Sequence, residues 1–201
     1  SLAAMDIGTA FGTLGARREM LVSFLAEPAL LMVLFTASMI SHSTQLPRIV
    51  ETLAHHEFVL YPSLAFAALA FLIVLLAENA RIPVDNPSTH LELTMIHEAM
   101  ILEYSARHLA LIEWASSLKL LAYISIGIAL FLPHGIAEVG NWAGLPLAIG
   151  LLLLKLLVAG AGLAVLESLL AKMRIFRAPE FLGTAFLLAV LGLLIHLLLG
   201  A

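Results

Sequence analysis

Residues 145–170 read LPLAIGLLLLKLLVAGAGLAVLESLL, a stretch in which Lys155 and Glu167 are the only charged groups. A bilayer offers no water to backbone N–H and C=O groups, so a crossing segment must satisfy them internally, and a helix does so with about 20 mostly apolar residues. This stretch is long enough to cross. Four others resemble it, over residues 20–40, 59–77, 109–132 and 181–199, and the runs 59–77 and 181–199 carry no Asp, Glu, Lys or Arg at all.

Working outward, 62% of the 201 residues are hydrophobic and 12% are charged, with a mean hydropathy of +1.05. A soluble domain carries roughly 25% charged residues to solvate its surface, so a soluble enzyme is excluded. The expected fold is all-α: a polytopic transmembrane helical protein of five spans, forming a single transmembrane domain over residues 1–201, with a loop and amphipathic helix in 78–108. Cysteine is absent, which removes disulfides, thiolate nucleophiles and cysteine-ligated Fe–S clusters from this chain. The net charge of -4 provides no basic surface for nucleic acid. The opening Ser-Leu-Ala-Ala lacks an initiator Met, and the expectation is a trimmed or partial chain.

Lys and Arg are retained on the cytoplasmic side of short loops. Arg17 and Arg18 precede the first run, Arg81 and Arg107 fall in 78–108, and Lys172, Arg174 and Arg177 fall in 171–180; the alternate loops 41–58 and 133–144 hold Arg48 alone. The asymmetry predicts a cytoplasmic start, an outward C-terminus, and outward loops at 41–58 and 133–144.

The segment 78–105 carries the chemistry. Pro83 and Pro87 restrict the residues before them, so 82–86 should be a fixed, non-helical strip. A helix is expected next, with Asn86 as N-cap before Pro87, or with Thr89 and Glu92 as a capping box. At 100° per residue, His90, Thr94, His97, Ile101 and Tyr104 share one side, with Glu92, Ala99 and Glu103 opposite. Ionisable groups on both faces predict packing against protein on both sides rather than against lipid. Glu78, Arg81 and Asp85 can be read as a surface ion pair with a turn aspartate. The density of further groups, His90, Glu92, His97, Glu98 and Glu103, exceeds what one ion pair requires.

Glu78-Asn-Ala-Arg81-Ile-Pro83-Val-Asp85 resembles the cytoplasmic signature of the quinone-chamber membrane subunit of respiratory complex I, where a Glu, an Arg, a Pro and an Asp recur at this spacing before an acid-rich helix. The continuation, Asn86 to Met100, more closely resembles the homologous subunit of formate hydrogenlyase and other membrane-bound group 4 NiFe hydrogenases. Gly12-Thr-Leu-Gly15-Ala-Arg17-Arg18-Glu19-Met20 and Glu27-Pro28 are similar to the same family, and the likeness runs from residue 1 to about 132. Glu103-Tyr104-Ser105 resembles an acid-Tyr-Ser element of the complex I version, at a longer interval from Glu92.

The resemblance implies a non-catalytic subunit of an oxidoreductase complex in the plasma (inner) membrane, with further N-terminal spans beyond this sequence. It implies no cofactor on this chain; the NiFe centre and Fe–S clusters would sit on partner subunits. Those partners would be the soluble hydrogenase large and small Fe–S subunits, antiporter-like membrane subunits and membrane lipid. Two rivals stand beside it: a quinone-reducing NADH dehydrogenase subunit of the same fold, and a free-standing ion transporter, which the lack of inverted repeats disfavours.

Charges inside the runs complete the candidate set. Glu27, Glu113, Lys119, Lys155 and Glu167 lie within apolar stretches, and each costs at least about 2.5–3.5 kcal/mol at mid-membrane unless partnered. One role is pairing that glues helices together, for instance Lys119 or Lys155 with a carboxylate on a neighbouring span. The other is a proton-coupling line through Glu27, Glu78, Arg81, Asp85, Glu92, Glu98, Glu103, Glu113, Lys119, Lys155 and Glu167. Pro28 is expected to loosen the helix around Glu27, and a buried carboxyl can exchange protons near neutrality. Gly127, Gly150, Gly160 and Gly162 suggest close helix packing. No metal site is expected.

Overall fold

Small side chains decide how the helices meet. Ala26 and Ala29, Ala67, Ala70 and Ala77, and Ala178, Ala185 and Ala189 are all fully or almost fully buried. They line three helices that approach closely enough for such residues to fill the contact. The computed structural model describes residues 2–6, 8–55, 62–81, 96–101, 104–136, 144–170 and 177–199. The described residues form α1 (Leu2–Asp6), α2 (Ala10–Ser41), α3 (Leu46–His55), α4 (Pro62–Glu78), α5 (His97–Ile101), α6 (Ala106–Phe131), α7 (Leu145–Leu169) and α8 (Ala178–Leu199), with no strand among them.

The core is a three-helix unit of α2, α4 and α8. Val22, Ala26 and Ala29 pack with Val74 and Ala77 and with Leu182 and Ala185. Further along, Val33 packs with Ala67, Ala70 and Phe71 and with Ala189. Residue numbers rise together on α2 and α8 and fall on α4, so α2 and α8 run parallel and α4 antiparallel to both. Gly192 completes the close approach: a Cβ there would stand 2.9 Å from the Ser63 carbonyl oxygen.

α6 leans on this unit through Tyr123 and Phe131, whose rings lie 6.3 and 5.6 Å from that of Phe71. Gly127 makes room, since a Cβ would meet Phe71 Cε1 at 2.8 Å. α7 is different. It has no buried residue, and Gly150, Gly160 and Gly162 have nothing within 4 Å of where a Cβ would stand. Among the described residues these three glycines therefore lack the close packing expected of them, and of the four named only Gly127 shows it.

Four helices, Gly12–Ser41, Ala106–Phe131, Leu145–Leu169 and Ala178–Leu198, are long and apolar enough to cross a membrane, and α4 is a shorter apolar helix of 17 residues. The chain is a multi-pass membrane protein. α2 outruns its apolar stretch. At 32 residues it extends about 48 Å, because Thr9 caps it at the start, its hydroxyl oxygen accepting from the Gly12 N–H at 3.3 Å. The helix also continues unbroken past Pro28, so the proline removes one hydrogen bond without ending it.

Two segments depart from expectation. The stretch 41–58 contains α3, whose Ile49 and Leu53 are buried against Ala37, Ile40 and Leu130. The helix drawn from residue 86 through Tyr104 falls mostly outside the described residues. Its described helical part is α5; Tyr104, whose N–H donates to the Ile101 carbonyl at 3.0 Å, is not helical, and Ser105 is the extended residue before α6.

Candidate functional site

The last turn of α4 directs the site. Ala80 takes a left-handed conformation at φ 49°. The Arg81 N–H then reaches back to the Leu76 carbonyl at 2.9 Å and the Ala80 N–H to the Ala77 carbonyl at 3.2 Å, the paired bonds of a Schellman ending. Asn79 adds a third, its Nδ2 donating to the Leu75 carbonyl at 2.8 Å. The chain therefore turns sharply between Glu78 and Arg81 and sends the two side chains to different helices.

Glu78 goes to α6. Lys119 Nζ stands 2.9 Å from Glu78 Oε2, and it also donates to the Glu78 backbone carbonyl at 2.6 Å. The glutamate side chain is 8% exposed and the lysine 40%, so one ammonium neutralises a nearly buried carboxylate and caps an unpaired carbonyl at the helix end. Arg81 goes to α7, where its Nη1 lies 3.4 Å from Glu167 Oε1. Four charges from three helices thus form two ion pairs in one tier. Glu78 and Arg81 do not pair with each other, because the turn at Ala80 separates them; Asp85, the third member of the expected group, lies outside the described residues. Pairing of Lys119 with a carboxylate on a neighbouring span is present.

Three oxygens of this tier are buried without a hydrogen-bond donor among the described residues: Glu78 Oε1, Asn79 Oδ1 and Glu167 Oε1. A buried acceptor without a donor is costly. Tyr123, one turn along α6 from Lys119, has its ring centroid 6.0 Å from Lys119 Nζ and lies in the field of both Glu78 and Glu27.

The remaining candidates are dispersed. Glu27 is exposed on α2 and Glu113 is exposed on α6. Lys155 belongs to the opposite end of the bundle. It donates to the Leu132 carbonyl at 2.6 Å and to the His134 carbonyl, where the end of α6 leaves carbonyls without helical partners. A carboxylate partner expected for Lys155 is replaced by these carbonyls, since α7 runs back along α6 and carries Lys155 about 18 Å from Glu167 along its axis. Asp85, Glu92 and Glu103 lie outside the described residues, as does the side chain of Glu98. Among the described residues no group of three or more His, Asp or Glu could hold a metal ion.

Two features escaped the sequence reading. Gly15 admits the segment after the long loop: a Cβ there would stand 2.8 Å from the Ile96 carbonyl oxygen and 3.0 Å from Ala99 Cβ. Ile96 and Met100 are buried on α2 as a result. Ala80 has no sequence signal, because the left-handed position is usually glycine; Gly15 sits in a motif that flagged its importance without its reason.

A helical bundle of membrane-crossing length with a charged tier at one end is a multi-pass membrane protein, and comparison with known proteins identifies the family. Residues 1–198 match the family described as NADH dehydrogenase, and the chain belongs to it. It is similar to formate hydrogenlyase subunit 4 of Escherichia coli (strain K12), at 29% identity over 192 residues, which covers 96% of this chain and 62% of that protein. It is also similar to hydrogenase-4 component C of the same organism, at 33% identity over 193 residues, covering 96% of this chain and 60% of that one. The chain therefore spans about three fifths of the length of these relatives.

Proposed function

We propose that this chain is the membrane-anchor and proton-coupling subunit of a membrane-bound hydrogenase or formate hydrogenlyase complex. It lies in the plasma membrane with its start and the Glu78 end cytoplasmic and its C-terminus outside. The soluble large and small Fe–S subunits, which hold the NiFe centre and the Fe–S clusters, dock on the segment 78–108, and antiporter-like membrane subunits pack beside it. The chain binds no redox centre itself. Its part is to hold the soluble arm and to pass protons between that arm and the membrane through Glu27, Glu78, Glu92, Glu98 and Glu103, with Arg81, Asp85, Glu113, Lys119, Lys155 and Glu167 as charged companions.

One observation carries this reading: at the Glu78 end two carboxylates from different helices are each paired with a cation from another element, and Glu78 Oε1 and Glu167 Oε1, the latter 3.4 Å from Arg81, are buried without a hydrogen bond among the described residues. Similarity to two hydrogenase components supports the hydrogenase branch. A second reading, a quinone-reducing NADH dehydrogenase subunit, is supported by the family description; it predicts copurification with a quinone-reducing arm instead of a NiFe subunit.

The test uses the intact complex in inverted membrane vesicles. Glu78→Gln and Glu167→Gln keep size and hydrogen bonding but cannot exchange a proton. Complex yield should stay near normal while proton movement per turnover falls several-fold; normal proton movement in both variants would overturn the coupling role.

A further inference from the structure

One stripe of α2 turns away from α4 and α8. Leu21, Phe24, Leu31 and Phe35 on it are between 48% and 76% exposed, and Glu27 is exposed among them. The spacing keeps all five on one side of the helix. Four of the five suit lipid. The fifth does not: Glu27 is about 21 Å along the axis from Ser41, the end of α2, which sets it inside a hydrocarbon core about 30 Å thick.

Glu27 is not the only unsatisfied acceptor there. Pro28 follows it inside the helix and has no N–H for the Phe24 carbonyl four residues earlier. A carboxylate and a bare carbonyl therefore stand within one turn of each other on the exposed stripe. Among the described residues no ion pair reaches Glu27; Tyr123 of α6 lies in its field but carries no positive charge, and the nearest tier has already committed Lys119 to Glu78. Lipid tails supply neither a donor nor a counter-charge.

We propose that this stripe of α2 is covered by a transmembrane helix that presents an arginine or lysine at the depth of Glu27. A basic side chain satisfies the carboxylate and the Phe24 carbonyl together, and a guanidinium, with its fork of donors, fits both acceptors best. Phe24 and Leu31, a turn to either side, shield the pair from lipid. The inference goes beyond the proton-coupling role and does not depend on it, because it concerns what faces Glu27 and not whether Glu27 titrates.

The experiment places a photoreactive amino acid at Leu31 in the assembled complex in native membranes and maps the adduct by mass spectrometry. The expected result is an adduct on one transmembrane peptide with an Arg or Lys within one turn of the linked residue. Glu27→Lys should lower the yield of complex at least tenfold, and changing the mapped base to Glu in the same strain should restore it. Glu27→Leu, which fits a lipid-facing helix better than the native residue, should also lower yield, since it strands the partner's cation. Adducts on lipid alone, a linked helix with no basic residue within a turn, failure of the charge exchange to restore yield, or normal yield with Glu27→Leu would each overturn the proposal.

Discussion

Lys119 grips Glu78 twice, by its carboxylate at 2.9 Å and by its backbone carbonyl at 2.6 Å, so one α6 side chain fixes both the charge and the end of α4. Lys119→Met should strand a carboxylate that is 8% exposed. Partial exposure of the lysine moderates the loss to about 1–3 kcal/mol. Adding Glu78→Gln should recover most of it, which a double-mutant cycle by thermal unfolding in detergent would measure; strictly additive losses would show that the pair is not coupled.

Gly15 and Gly150 should respond oppositely to alanine. At Gly15 a Cβ would meet the Ile96 carbonyl oxygen at 2.8 Å, so Gly15→Ala should cost about 1–3 kcal/mol and speed hydrogen exchange of the amides in α5. At Gly150 nothing lies within 4 Å, so Gly150→Ala should be neutral or stabilising by up to about 1 kcal/mol through helix propensity. Unchanged exchange in α5 for the first variant would dissociate Gly15 from α5 docking.

Ala80 holds a left-handed position that glycine adopts without strain. Ala80→Gly should therefore raise stability by about 0.5–1 kcal/mol, and Ala80→Val should lower it. Activity should fall with valine more than with glycine, because the same turn aims Arg81 at Glu167.

Topology can be read with single cysteines, since the native chain has none. Thr44→Cys should react with a membrane-impermeant maleimide added to intact cells, and Ser105→Cys only after permeabilisation. The reverse pattern would invert the orientation inferred from the basic loops.

The five apolar runs were readable because crossing a bilayer is a matter of composition, and each run holds a helix. Their ends were less so. α2 begins at Ala10 and not near residue 20 because a cap and helix-compatible polar residues prolong it beyond the apolar stretch. α3 falls in a stretch read as an outward loop, although Leu46, Ile49, Val50 and Leu53 have the spacing of a helix face. Partner choice was the hardest part. That Glu78 meets Lys119 while Arg81 meets Glu167 follows from one residue's backbone angle and from which helices lie adjacent, neither of which sequence spacing encodes.

The position of α8 between α2 and α4 sets an order on the making of this protein. α2 and α4 leave the ribosome first, yet the alanine faces they share with α8 stay open while the 99 residues from Asn79 to Arg177 are translated, about 5–20 s at ordinary elongation rates. α6 and α7 must enter the membrane during that wait without occupying the place reserved for α8. A chain cut short before Ala178 would carry the residues of both charge pairs but would leave the α2 and α4 faces that pack on Leu182, Ala185 and Ala189 uncovered.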